Sequence, residues 1–207
     1  MPERLVVFGS GGHAKVVVEA ALASAPHREI LILDDAARPD DFAIFRIPVS
    51  GTRDRLDQLR GSPVIVAVGD NRARGELIAW LRDQRHELEA IVHPRAFVAD
   101  SVDLGLGVFV SAGAVIIAEA RIGAGAIVNT GATVDHDCVI GEAAHIAPGV
   151  HLCGNVHIGE RTLIGVGAAI RPGVSVCDDV IVGAGSVVVR DIETAGTFAG
   201  NPARPLR

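Results

Sequence analysis

Aromatic residues make up only 3% of this 207-residue chain, with six Phe, one Trp and no Tyr. So few rings imply an interior too narrow to hold many of them. Cysteine is scarce as well: Cys138, Cys153 and Cys177 have neither the number nor the spacing of a disulfide framework or a zinc motif, and no metal site is expected. Long apolar runs are missing. No stretch of about eighteen residues escapes glycine or charge, which argues against a membrane-spanning helix. No charged-then-apolar leader opens the chain, and a cytoplasmic location with reduced thiols is the expectation. Net charge is −6 with no basic run, which argues against a nucleic-acid partner.

Against these absences stand 49% hydrophobic residues and one regularity. From Val98 to Val188 every sixth residue is Val, Ile or Leu, sixteen times in succession. Four residues after each comes a small or β-branched residue, as in Ala114, Ala120, Ala126, Ala132 and Cys138. A period of six fits neither the 3.6 of a helix nor the 2 of a lone strand. It is the hexapeptide signature of a parallel β-helix with three short strands per coil. The aliphatic residue fills the interior, and the small one is expected to let the chain bend at a corner. Coils stack at about 4.8 Å, for a column on the order of 25 Å tall. Flat faces with open edges invite association, and small outward residues such as Gly123-Ala124-Gly125 would suit close contact between subunits.

Val92 and Ala96 already keep the spacing, so the solenoid spans 91–207 and residues 1–90 form a separate unit joined without a flexible linker. In that unit Leu5–Phe8 is a strand stopped by Gly9-Ser10-Gly11-Gly12-His13, and a helix runs from Ala14 to Ala25. Ile30–Leu33 is a second strand ending in Asp34-Asp35. Val64–Val68 is a third, ending in Gly69-Asp70-Asn71, and a charged helix follows to about Arg85. Strands alternating with helices imply a parallel sheet, whose ligands bind beyond the carboxyl ends of the strands. Gly9-x-Gly11-x-x-Ala14 fits the dinucleotide fingerprint, but a full dinucleotide fold needs two halves and roughly six strands. With three or four strands, one nucleotide is the better fit, its diphosphate held by helix-start N–H groups and the dipole. The bland alternative is that these glycines only make a tight turn.

His145, His151 and His157 take the same place in consecutive hexads, hence on three successive faces, so they cannot share one metal within a subunit. His136 differs. Inside Asp135-His136-Asp137 it is flanked by carboxylates that can hold one tautomer and raise its basicity, as a general base requires.

Taken together, Phe8–Val17, Leu33-Asp34-Asp35, Val68–Asn71, Asn129-Thr130, Asp135–Glu142, His145 and the tail Gly200–Arg204 resemble the PglD/NeuD type of bacterial acetyltransferase. These modify nucleotide-activated amino sugars, and their relatives O-acetylate sialic acid. The resemblance implies a half-Rossmann α/β N-terminal domain, a left-handed parallel β-helix, and a homotrimer with sites between subunits. Acetyl-coenzyme A would lie along the solenoid. His136 matches the catalytic base, and Asp137 its acidic partner, where relatives often carry Glu. His145 matches a residue touching the thioester, and Val166, Ala184 and Asn129 match the coenzyme A site. Gly11, Gly12, His13, Asp34, Asp35 and Gly69 match the nucleotide-sugar contacts, while Arg72 stands where some relatives are acidic.

The expected activity is acetyl-coenzyme A-dependent N-acetylation of a UDP- or GDP-linked 4-amino-4,6-dideoxy sugar, with His136 as base. Cys138 occupies an inward position, which argues against a Cys–His nucleophile pair. O-acetylation of a sialic acid is the alternative within the same machinery. A non-catalytic or zinc-binding hexapeptide protein, or an NAD-binding protein, are alternatives of another class.

Overall fold

The computed structural model describes residues 4–36 and 43–206. Strand β1 (Arg4–Phe8) lies at the centre of a three-stranded parallel sheet, between β2 (Glu29–Leu33) and the third strand, Val64–Val66. Leu5, Val7, Ile30, Ile32 and Ile65 face one side; Val6, Phe8, Leu33, Val64 and Val66 face the other. A sheet covered on both faces explains why these strands are continuous apolar runs rather than alternating ones. Helix α1 (Gly12–Ser24) covers the first side, and on its far side it meets the solenoid, where Ser24 Oγ donates to Val92 O at 3.0 Å. Burial on two sides accounts for its Ala- and Val-rich sequence.

Between β2 and the third strand the chain forms a feature unread from sequence. A two-stranded hairpin, β3 (Ala43–Ile44) and β4 (Ile47–Pro48), precedes a 3-10 segment at Arg53–Leu59. The third strand is therefore β5 in chain order, and α2 (Asn71–Asp83) follows it with Asp70 as its cap. Among the described residues no helix is long and apolar enough to cross a membrane.

From Ile91 onward the chain winds as a solenoid. The first face starts at Ile91–Val92 and continues through Phe109–Val110, Ile127–Val128, His145–Ile146, Leu163–Ile164 and Val180–Val182. The second runs from Phe97–Val98 through Thr133–Val134 to Val187–Val188, and the third from Asp103–Leu104 through Val139–Ile140 to Ser175–Val176. Strands along each face pair in parallel, eighteen residues apart, as in Ile116 with Val134 and Val134 with Leu152. From the second coil on, both the aliphatic residue and the small residue four places later point inward, and nearly all are buried.

The bend itself is made elsewhere than expected. Every sixth residue from Gly107 to Gly185, the one just before each small residue, has positive φ. Glycine fills eight of these corners, and Glu119, Asp137, Ala143, Asn155, Arg161 and Asp179 fill the rest. The left-handed conformation costs an L-residue roughly 1–2 kcal/mol, least for Asn and Asp. From Gly113 on, each such N–H donates one coil down, as Asp137 N does to Ala118 O at 3.0 Å and Asn155 N to His136 O at 2.8 Å.

The two halves share a core. Ile91, Phe109 and Ile127 point outward from the first face into the packing of α1 and the sheet. The corner Gly123-Ala124-Gly125, expected to suit subunit contact, is instead covered within the chain: α2 lays Ile78 over Gly125, where a Cβ would overlap its Cδ1.

Candidate active site

At the carboxyl ends of the sheet, Gly9 has φ +116°, and a Cβ there would press on Ala67 O at 2.8 Å. This turn delivers Gly11 as the cap of α1. Gly11 and Gly12 are exposed with open space around them, and no acidic side chain or side-chain cap occupies the first turn. A bare helix start of this kind leaves several N–H donors and the positive dipole end for an anion. Asp34 and Asp35 act beside it as braces. Asp34 Oδ2 accepts from Ser10 N and Oγ at 2.7 and 2.6 Å, and Asp35 accepts from Arg53 N at 3.0 Å and Nε at 2.6 Å. Gly69 is exposed at the end of the segment after β5.

His136 occupies the corner between the second and third faces. Its N–H donates to Asp135 Oδ1 at 2.8 Å, and Asp137 Oδ2 sits 2.7 Å from Nδ1. Asp137 is the left-handed residue of that corner, with φ 59°, and from there even the shorter carboxylate reaches the ring. The bond from Asp137, with the Asp135 charge adding, raises the imidazole above its usual range. With Nδ1–H donating to Asp137, Nε2 carries the free lone pair. One coil above, Gly154 leaves room for the ring: a Cβ there would overlap Cε1 and Nε2. Cys138 Sγ donates to Cys153 O at 3.1 Å and is fully buried, and burial pushes its thiol up, so it is no nucleophile for His136.

His145 lies on the first face, beside the corner along which α2 docks. Asn129 Oδ1 accepts from Thr130 N at 2.8 Å, which orients the amide so that Nδ2 donates to His145 Nε2 at 3.0 Å. His145 is held down to about 4 by burial and by the Arg74 charge, so it stays neutral. His13 faces this junction rather than the open helix start. Its ring packs edge-on to Phe109 at 5.2 Å, burial and then Arg74 push it down to about 3, and Nε2 has no hydrogen-bond partner among the described residues. Gly69, Asp70, Asn71 and Arg72 line a cavity of about 230 Å³ with His145, Arg161 and Asp179. Arg72 pairs there with Asp179 at 3.5 Å.

Thus one chain gathers His13, Gly69, Asn129 and His145 around the junction, with Gly11 and Gly12 at the adjoining helix start. Val166 and Ala184 are exposed on the corner column above Asn129, between the first and second faces, with open space at Gly167 and Gly185. His136 and Asp137 stand on a different corner, across the whole second face. His151 and His157 lie on the second and third faces, apart from His145. Sequence reading missed Arg74, which is 1% exposed. A charged residue in a helix of alternating charge carries no local sign of burial.

The family description PglD N-terminal domain matches residues 4–81, and a hexapeptide repeat of succinyl-transferase matches 155–190. Over 114 residues the chain is 35% identical to UDP-N-acetylbacillosamine N-acetyltransferase of Bacillus subtilis (strain 168), covering 53% of this chain and 52% of that protein. The aligned part is therefore about half the length of that curated relative. The chain is similar to the acetyltransferase domain of PglB from Neisseria gonorrhoeae FA1090 in complex with acetyl coenzyme A, with 42% identity, TM-score 0.94 and 100% of both chains covered. It is also similar to a variant of perosamine N-acetyltransferase from Caulobacter crescentus solved with CoA and GDP-perosamine. There the identity is 44% and the TM-score 0.91, over 98% of this chain and 96% of that one.

Proposed function

The chain belongs to the hexapeptide-repeat sugar acetyltransferases that carry a PglD-type N-terminal domain, and from that membership we propose that it N-acetylates a nucleotide-linked amino sugar with acetyl-coenzyme A. The observation that carries this reading is the relative solved with CoA and GDP-perosamine, which is alike over nearly the whole of both chains. Gly11, Gly12 and the N–H groups of the α1 start hold the diphosphate, with Gly69 and His13 at the sugar end. Val166, Ala184, Asn129 and His145 receive the coenzyme. Because His136 stands a face away from His145 in one chain, the working unit is a homotrimer in which the corner of one subunit completes the site of the next.

The amine nitrogen attacks the acetyl carbonyl, a C–N bond forms, and the C–S bond breaks. His136 Nε2 takes the proton released from nitrogen and returns it to the departing sulfur, while Asp137 stabilises the imidazolium. No covalent acyl-enzyme is required. A free amine is already a nucleophile, so positioning supplies much of the rate.

A coupled assay of coenzyme A release tests this reading with GDP-perosamine, a UDP-linked 4-amino sugar, the same sugars without nucleotide, and free sialic acid. A nucleotide-linked amine is expected to be preferred, because the bare sugar forgoes the diphosphate contacts. Preference for sialic acid would replace N- by O-acetylation. Equal rates with the bare amino sugar would remove the nucleotide site.

A further inference from the structure

Helix α2 lies with one face along a solenoid corner. Asn71 Nδ2 donates to Arg161 O at 2.8 Å, Gly75 leaves space against Ala143, and Arg82 pairs with Glu142 at 3.2 Å. In the middle of this face Arg74 is almost fully buried, and its guanidinium spans the two halves of the molecule. Toward the nucleotide side it donates to Val68 O at 2.9 Å, Gly69 O at 3.1 Å and Asn71 Oδ1 at 2.7 Å. Toward the solenoid it donates to Gly125 O at 2.8 Å and Ala143 O at 2.7 Å, with Ala144 O, one residue before His145, at 3.4 Å. None of these partners is a carboxylate. The Asp70 charge nearby offsets only part of the burial, which holds the guanidinium down to about 10; burying a cation on neutral partners costs several kcal/mol, and an apolar side chain of similar length would pack there without that cost. Its five fixed donors, however, let one group bridge carbonyls on both sides, which no apolar residue does.

We propose that Arg74 is a positioning residue that clamps the nucleotide-binding segment 68–71 onto the solenoid beside His145, setting the distance from the nucleotide-linked acceptor to the thioester. This rests on the acetyltransferase reading above. The clamp matters most for an acceptor tethered through its nucleotide, since the diphosphate fixes that acceptor to the α/β unit, whereas a bare amino sugar is free to shift at the junction.

Arg74→Lys and Arg74→Met would be compared with the native chain in coenzyme A release, using GDP-perosamine or the UDP-linked 4-amino sugar, whichever the native chain turns over, and the same sugar without nucleotide. Displacement on the order of an ångström costs about 10²-fold. The expected result is a loss of about 10–10²-fold in kcat/KM with the nucleotide-linked sugar, while KM for acetyl-coenzyme A and the rate with the bare sugar stay within about twofold. If neither variant folds, Asn71→Ala removes one leg of the clamp, with an expected loss of roughly 2–10-fold and the same dependence on the nucleotide. An equal loss on both acceptors, or none on either, overturns the assignment while the native preference for the nucleotide stands. Equal native rates on the two acceptors remove the nucleotide site from the reading above, and the clamp with it.

Discussion

In the solenoid each inward side chain is covered by its equivalents eighteen residues away, so Val134 is closed in by Ile116 and Leu152, and among the described residues the core contains none from before Ala90. The α/β unit is built the other way. Leu5, Val7 and Ile65 pack on Val17 and Val18 of α1, and that cluster is completed only by Ile91, Phe109 and Ile127 from the solenoid. One half closes its own interior; the other borrows a wall. The proposed chemistry divides along the same line. His136 and Asp137 stand exposed on a corner of the self-sufficient half, whereas His13, His145 and Arg74 are packed at the junction.

His136→Ala tests that division with the largest expected effect. Acetyl transfer should fall by roughly 10²–10⁴-fold, with coenzyme A affinity and thermal midpoint unchanged, because the ring is exposed at a corner. Near-native turnover would leave positioning as the source of rate. Phe109→Ala should do the opposite: about 3–5 kcal/mol of stability lost, concentrated in the α/β unit. Trp80, the one tryptophan, sits in that unit, so its fluorescence should shift to a lower denaturant midpoint while the solenoid signal in circular dichroism holds. Equal shifts in both would show that the solenoid leans on its partner after all.

Gly154→Ala sharpens the contrast between space and charge. Gly154 does not adopt positive φ, so its backbone tolerates alanine, yet the added methyl must displace the His136 ring. Turnover should drop roughly tenfold with stability level or slightly raised; unchanged turnover would free the ring from this constraint. The smallest effect is on pH. As the proposed base, His136 has to be the neutral imidazole, and Asp137 raises its pKa, so the rate should fall as pH drops through that raised value. Asp137→Asn removes the cause, and the acid limb should move to lower pH. A limb that stays in place or rises would detach Asp137 from the base.

The solenoid was legible to the residue because its period is imposed by stacking, which every coil repeats. Even the left-handed corners were printed there, as glycine at 107, 113, 125, 131, 149, 167, 173 and 185, although the bend was credited to the small residue beside them. The strands of the α/β unit and its glycine turn were equally plain. The hairpin around Ile44 and Ile47 was not, since two-residue strands carry no periodicity. Among the candidate site residues, the pairing of His136 with Asp137 could be read from adjacent charges. Arg74 could not, because its burial is created by two elements far apart in sequence, and neither Gly125 nor Ala143 contributes more than a carbonyl.

The corner that holds Asp137 has counterparts at Glu119, Asn155 and Gly173 along the same edge, one per coil. Length changes in such a column are quantised. Adding or removing eighteen residues would return every later side chain to its own face and leave the molecule one storey taller or shorter. A change of six or twelve would carry each later residue round to another edge, bringing His136 to a different side of the prism. A number that is not a multiple of six would take the aliphatic row out of its register. Variation in this column is thus easiest by whole storeys, and the His136 corner can change height far more readily than it can change sides.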